Sequence, residues 1–150
     1  MTGCSSGFGL VLAAQVLGRG HRVIATARNP TTLTELAMRF PDTCRVFALD
    51  LTDSAQVKSA VAESAAAFGR LDVIVNNAGY GLVGAFEELG EEQVARNFET
   101  NFFGAMSVIR AVLPILRSQH SGHIVNISAA AVISNYAGFS IYGAKICLLL

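Results

Sequence analysis

The chain carries no excess charge of either sign, since 11 lysines and arginines offset 11 aspartates and glutamates among its 150 residues. Without a basic stripe it cannot neutralise a phosphodiester backbone, so nucleic acid is excluded as the expected partner. Long hydrophobic runs are missing as well. A stretch such as Ile146–Leu150 falls far short of the roughly 20 apolar residues that cross a bilayer. No charged segment followed by an apolar one opens the sequence, so no membrane association is expected and the expected location is cytoplasmic. Cysteine is scarce: Cys4, Cys44 and Cys147 make no C-x-x-C pair, which argues against a disulfide framework or a zinc site and for a packing role. His21, His120 and His123 share no ligand spacing, so no metal centre is expected and surface or loop positions are. What is abundant is apolar surface. At 52% hydrophobic residues and a mean hydropathy of +0.47, the chain fits one domain and is greasier than a small one needs.

That apolar content is organised. Arg22–Ala27, Arg45–Leu49, Leu71–Asn76 and His123–Ser128 are short, continuously apolar runs, the pattern of parallel strands buried on both faces. Between them Ala13–Leu17, Thr31–Arg39, Ser54–Phe68 and Glu91–Leu116 hold helix formers with apolar residues three and four apart, as at Val57, Val61 and Ala65. Asp53 or Ser54 suits a helix start, and Gly18, Gly20 and Gly69 suit helix stops. Strand alternating with helix predicts an α/β fold with a doubly wound parallel sheet.

The opening TGCSSGFG runs straight into an apolar helical stretch from Phe8 to about Leu17. Glycines at Gly3, Gly7 and Gly9 let the backbone turn tightly and approach a ligand, and Ser5, Ser6 and Phe8 complete a loop at a helix N-terminus that suits a pyrophosphate. Alone, the run fits an ordinary glycine turn equally well. In a doubly wound fold such a loop follows a first strand, yet only Met1 precedes Thr2 here, and the sequence stops at Leu150 about a turn or two into a helix. The expectation is therefore a partial dinucleotide-binding domain, incomplete at both ends.

Taken together the motifs resemble the short-chain dehydrogenase/reductase family from Thr2 to Lys145. TGCSSGFG matches that family's T-G-x-x-x-G-x-G loop, Asp50-Leu51 the position that contacts the adenine ring, Asn76-Asn77-Ala78-Gly79 its N-N-A-G, Asn101 its catalytic asparagine and Tyr142 its catalytic tyrosine. The resemblance implies binding of a dinucleotide by Gly3, Ser5, Ser6, Gly7, Phe8, Gly9, Asp50, Leu51, Asn77, Ala78, Gly79, Tyr142 and Lys145. It implies hydride transfer between the nicotinamide and a small carbonyl or alcohol substrate, with Tyr142 as general acid/base. A phenol of ordinary pKa near ~10 needs help at neutral pH, which the family's lysine supplies. The strand Arg22–Ala27, second in such a fold once the strand ahead of the glycine loop is counted, ends Thr26-Ala27-Arg28: no carboxylate stands there to hold a ribose 2′-hydroxyl, and Arg28 suits a 2′-phosphate. That favours NADP over NAD.

Two departures stand out. Lys145 follows Tyr142 by three positions where the family has four, and the position thirteen residues before the tyrosine, the family's serine, is Ala129. Ser128 is one residue too early, and on a strand such a shift turns a side chain to the other face. On a helix the shift is milder, because at about 100° per residue positions three and four on share one broad side. Catalytic roles are accordingly expected of Tyr142, Lys145, Asn101 and Ser128, with a dinucleotide-binding protein without turnover, or an inactive truncated product, as the alternatives. Glu91–Leu116 is a candidate for pairing between identical subunits, as the family's long helices do.

Overall fold

The computed structural model describes residues 1–129, 138, 139 and 141. Strand and helix alternate in it as α1 (Gly7–Gly18), β1 (Val23–Ala27), α2 (Thr34–Arg39), β2 (Cys44–Ala48), α3 (Ser54–Phe68), β3 (Val73–Asn76), α4 (Glu91–Phe98), α5 (Gly104–Gln119) and β4 (His123–Asn126). The four expected strands are all present, β1, β3 and β4 trimmed by one or two residues and β2 shifted back by one. Capping fixes the ends of α3: Asp53 Oδ1 accepts from the N–H groups of Ala55 and Gln56 at 2.9 and 3.0 Å, and Gly69 closes it at φ +76°, where a side chain would be strained.

Two helices differ from their expectations: the one expected over Thr31–Arg39 opens as a 3-10 turn at Pro30–Leu33, Pro30 removing an N–H at its start, and becomes α-helical only from Thr34. The stretch expected as a single helix over Glu91–Leu116 is divided by a π turn at Glu99–Phe103, and α5 runs on to Gln119. A π turn widens the i→i+4 ladder by one residue, and here it carries Asn101 inward, where its side chain bonds both polar groups of Tyr80.

The strands form two parallel pairs. β1 lies beside β2 from Val23↔Cys44 to Ala27↔Ala48, and β3 beside β4 from Val73↔His123 to Asn76↔Asn126. β1 is buried at every position, as a strand covered on both faces should be. β2 and β4 depart from the same expectation, each with one neighbouring strand: β2 exposes Arg45 and Ala48, and β4 leaves Val125 42% exposed. Around β1 and β2 pack Ala13 and Leu17 of α1, Leu36 of α2 and the thiols of Cys4 and Cys44. On the other side α3 and α5 close over Leu49, Leu51 and Ile74 through Val57, Val61, Val108, Val112 and Leu116. Cys4 and Cys44 are thus buried free thiols in packing roles, their pKa values raised by burial; Cys147 lies outside the described residues. His21, His120 and His123 are exposed. Among the described residues no helix is long and apolar enough to cross a membrane, and no group of three or more His, Cys, Asp and Glu is placed to hold a metal.

Between the two strand pairs runs a slot of about 540 Å³. Its walls are β1 and β3, with Val16 of α1 on one face and Ala60, Val61, Val108 and Val112 of α3 and α5 on the other. Residues 1–4 span one end of it. Met1 N–H donates to the Ile24 carbonyl at 2.9 Å, and Thr26 N–H donates to the Met1 carbonyl at 3.1 Å while Thr2 N–H donates to the Val75 carbonyl at 2.9 Å. Those are the slanted bonds of a parallel ladder, with Met1 level with Ala25 and Thr2 with Asn76. The architecture is an α/β fold with parallel strands, present as two strand pairs that residues 1–4 bridge at one end.

Candidate functional site

Each strand of a parallel sheet delivers the chain to the same edge, and ligands of doubly wound folds bind in the crevice beyond those carboxyl ends. Here β1 leads into Arg28, β2 into Asp50–Thr52 and β3 into Asn77–Tyr80, and all of them line one cleft of about 980 Å³ together with the 3–9 loop. Every residue expected at the cofactor and described by the structure is in that lining: Gly3, Ser5, Ser6, Gly7, Phe8, Gly9, Arg28, Asp50, Leu51, Asn77, Ala78 and Gly79. Leu51 is 7% exposed and also packs in the core with Val57, Val108 and Val112.

Thr2 ties the cleft together. Its Oγ1 accepts from the N–H groups of Asn77 and Ala78, both at 3.0 Å, and Asn77 Nδ2 donates to the carbonyls of Thr2 and Gly3 at 3.1 and 3.0 Å. The two loops approach so closely that only glycine fits where they cross. At Gly3, with φ +68°, a β-carbon would lie 2.6 Å from Ala78 Cα, and at Gly9 it would overlap the Gly3 carbonyl and the Asn77 amide. Gly9→Ala is therefore expected to push the loops apart and destabilise the fold by about 1–3 kcal/mol, as overpacking does. A thermal melt of that variant beside Gly18→Ala, which has open space around it, checks the site dependence; equal melts would contradict the account. At the start of α1, Ser6 is extended and makes no capping bond with its side chain.

Asp50 sits at the end of β2 with its carboxylate spent locally. Oδ1 accepts from Thr52 N–H at 2.9 Å and from Thr52 Oγ1 at 2.8 Å, and Gln56 Oε1 accepts from its N–H. The backbone and hydroxyl bonds from Thr52, with the nearby Arg28 charge, hold its pKa below the ordinary carboxylate range. The turn is thus stabilised above the unfolded carboxylate pKa and loses that support as pH falls through the lower folded value. Carboxyl resonances followed by NMR are expected to show Asp50 titrating below the ordinary aspartate range, with the Thr52 amide shifting at the same midpoint.

The residues expected to do chemistry are brought together only in part. Asn101 is 4% exposed, in the π turn behind the cleft; its Oδ1 accepts from Tyr80 N–H and its Nδ2 donates to the Tyr80 carbonyl, both at 2.9 Å. Ser128 is exposed two residues beyond β4 and is not part of the cleft lining. Tyr142 and Lys145 lie outside the described residues. Sequence reasoning missed Thr2 as a hub and missed Asn97, wholly buried on α4 with its Nδ2 donating to the Tyr80 carbonyl at 3.1 Å. The signal for Asn97 is its place four residues before Asn101, one helical turn on the same side.

Residues 1–145 match the family model for short chain dehydrogenases, and the chain belongs to that family. It is 44% identical to the oxidoreductase BOA17 of Botryotinia fuckeliana over 95% of its own length and 52% of that protein. A short-chain dehydrogenase from Streptomyces avermitilis superposes with a TM-score of 0.94 at 42% identity, covering 99% of this chain and 55% of that one. The closed form of a serine dehydrogenase complexed with NADP+ superposes with a TM-score of 0.93 at 33% identity, covering 99% and 60%. The chain spans about half the length of the curated relatives it matches.

Proposed function

We propose that this chain supplies the nucleotide-binding part of an NADP-dependent oxidoreductase that interconverts a small carbonyl and its alcohol. The observation that carries the reading is the cleft itself. Glycines at Gly3 and Gly9 draw the 3–9 loop against the Asn77–Gly79 segment, and the β1 end of the same cleft presents Arg28, with no carboxylate at the end of that strand. This donor set fits a dinucleotide with a 2′-phosphate: loop N–H groups and the start of α1 suit the pyrophosphate, and the Arg28 guanidinium suits the extra dianion. A relative of this fold is complexed with NADP+, which supports the choice. When bound, the nicotinamide supplies or accepts the hydride. The protein's own part falls to Tyr142, which gives a proton to the carbonyl oxygen or takes one from the alcohol, with Lys145 stabilising its phenolate and Asn101 supporting a water relay to the lysine. Ser128 is the serine nearest the family position. The partner is accordingly a small-molecule carbonyl or alcohol, and helices α4 and α5 are the surface proposed for pairing of identical subunits.

Arg28 gives the direct test. A hydrogen bond to a charged group contributes roughly 1.5–3 kcal/mol, which is about ten- to hundredfold in affinity. Fluorescence titration is expected to show NADPH bound that much more tightly than NADH, with the preference abolished in Arg28→Ala because only NADPH binding weakens. Equal preference in the two proteins would remove Arg28 from the site.

A further inference from the structure

Asn97 is 0% exposed, and a buried polar side chain with an incomplete set of bonds is costly. Its Nδ2 donates to the Tyr80 carbonyl at 3.1 Å, while its Oδ1 has no partner among the described residues. A leucine of similar size would remove that orphaned acceptor, so stability by itself does not explain an asparagine here. The amide makes one bond, and that bond lands on a carbonyl already serving Asn101 Nδ2 at 2.9 Å. Both lone pairs of the Tyr80 oxygen are then used, and Tyr80 N–H is held by Asn101 Oδ1. The Tyr80 peptide is clamped at both polar ends from the α4 side, directly after the Asn77–Gly79 segment that lines the cleft.

We propose that Asn97 is a positioning residue of the cofactor cleft, acting through the Tyr80 carbonyl to fix the Asn101 side chain and the 77–80 segment. It does not line the cleft, and it works only by what it holds. The role rests on the reading of the cleft as an NADP site, so its test keeps one measurement free of cofactor. The full chain and its N97L variant are compared by thermal melt, by amide exchange at Tyr80 and by NADPH titration. N97L is expected to melt at the same temperature or higher, while the Tyr80 amide exchanges at least about tenfold faster, as local opening becomes easier, and the NADPH Kd rises about five- to tenfold.

N97D keeps the proposal open to refutation if N97L does not fold. The carboxyl group that N97D introduces still donates an O–H to the Tyr80 carbonyl when protonated, whereas its ionised form repels that oxygen. Burial raises the carboxyl's pKa, so Tyr80 protection in N97D is expected at low pH and to be lost as pH rises through it, with no such step in the parent chain. Unchanged Tyr80 exchange in N97L, or protection in N97D independent of pH, overturns the role of Asn97. So does a fall in NADPH affinity that only tracks a lowered melting temperature. Failure of the parent chain to bind NADPH overturns the reading of the cleft instead, and the exchange data still decide whether the clamp exists.

Discussion

Inserting one residue between Ala144 and Lys145 and changing Ala129 to Ser, in a chain extended to the length of its relatives, is expected to raise carbonyl reduction by orders of magnitude. Two separate losses are repaired. One oriented donor at a developing oxyanion is worth about 10²–10³ in rate, and Ala129 has none to offer. Ser128 stands one residue before that position, exposed two residues beyond the end of β4, so the substitution adds a hydroxyl at the family's own position. The lysine matters through the phenol. A free phenol of pKa near ~10 exchanges protons poorly at neutral pH, and in the proposed mechanism an ammonium four residues on is what would lower it. The repaired protein should accordingly show its basic kcat limb displaced towards neutral pH as well as a larger kcat, whereas NADPH affinity changes little. Brisk turnover by the extended but unrepaired chain would mean that Ser128 and Lys145 are already in working register.

A second large effect concerns stability. Three or four apolar, β-branched residues placed ahead of Met1 are expected to enter the slot between β1 and β3 and raise the melting temperature by about 10 °C. The register is set by the bonds already made at Met1 and Thr2: the added residues would lie level with Ile24, Val23 and Arg22 on one wall and with Ile74, Val73 and Asp72 on the other. Both faces of the new strand meet apolar helix side chains, Val16 on one and Ala60, Val61, Val108 and Val112 on the other. Burying each side chain contributes about 1.5–3 kcal/mol and the ladder bonds add about 1 kcal/mol each, against about 1–2 kcal/mol per residue of backbone entropy. A net gain of about 3 kcal/mol corresponds to roughly 6–12 °C for a domain of this size. An extension of the same length containing Pro or Asp is the control, since neither can complete a buried ladder. Equal melts for the apolar and the control extensions would show that the slot does not take a strand.

Much of this protein is legible along the chain. Continuous apolar runs such as Val23–Ala27 mark strands buried on both faces, and Asp53 and Gly69 mark the ends of α3, because side-chain periodicity and capping act over a few residues. The loop glycines and the Asn76–Gly79 motif are legible too, since close backbone approach leaves few residue types to choose from. Contacts between distant segments are not. No local pattern says that Thr2 Oγ1 would receive the Asn77 and Ala78 N–H groups, nor that one face of β4 would remain open. The π turn at Glu99–Phe103 has the composition of plain helix, and the bonds its Asn101 makes to Tyr80 reach 21 residues away. Local sequence decided which elements form and which residues reach the carboxyl edge of the sheet. Only the tertiary structure decided how the two loops interlock and which asparagines hold Tyr80, because each depends on bonds closed across long stretches of chain.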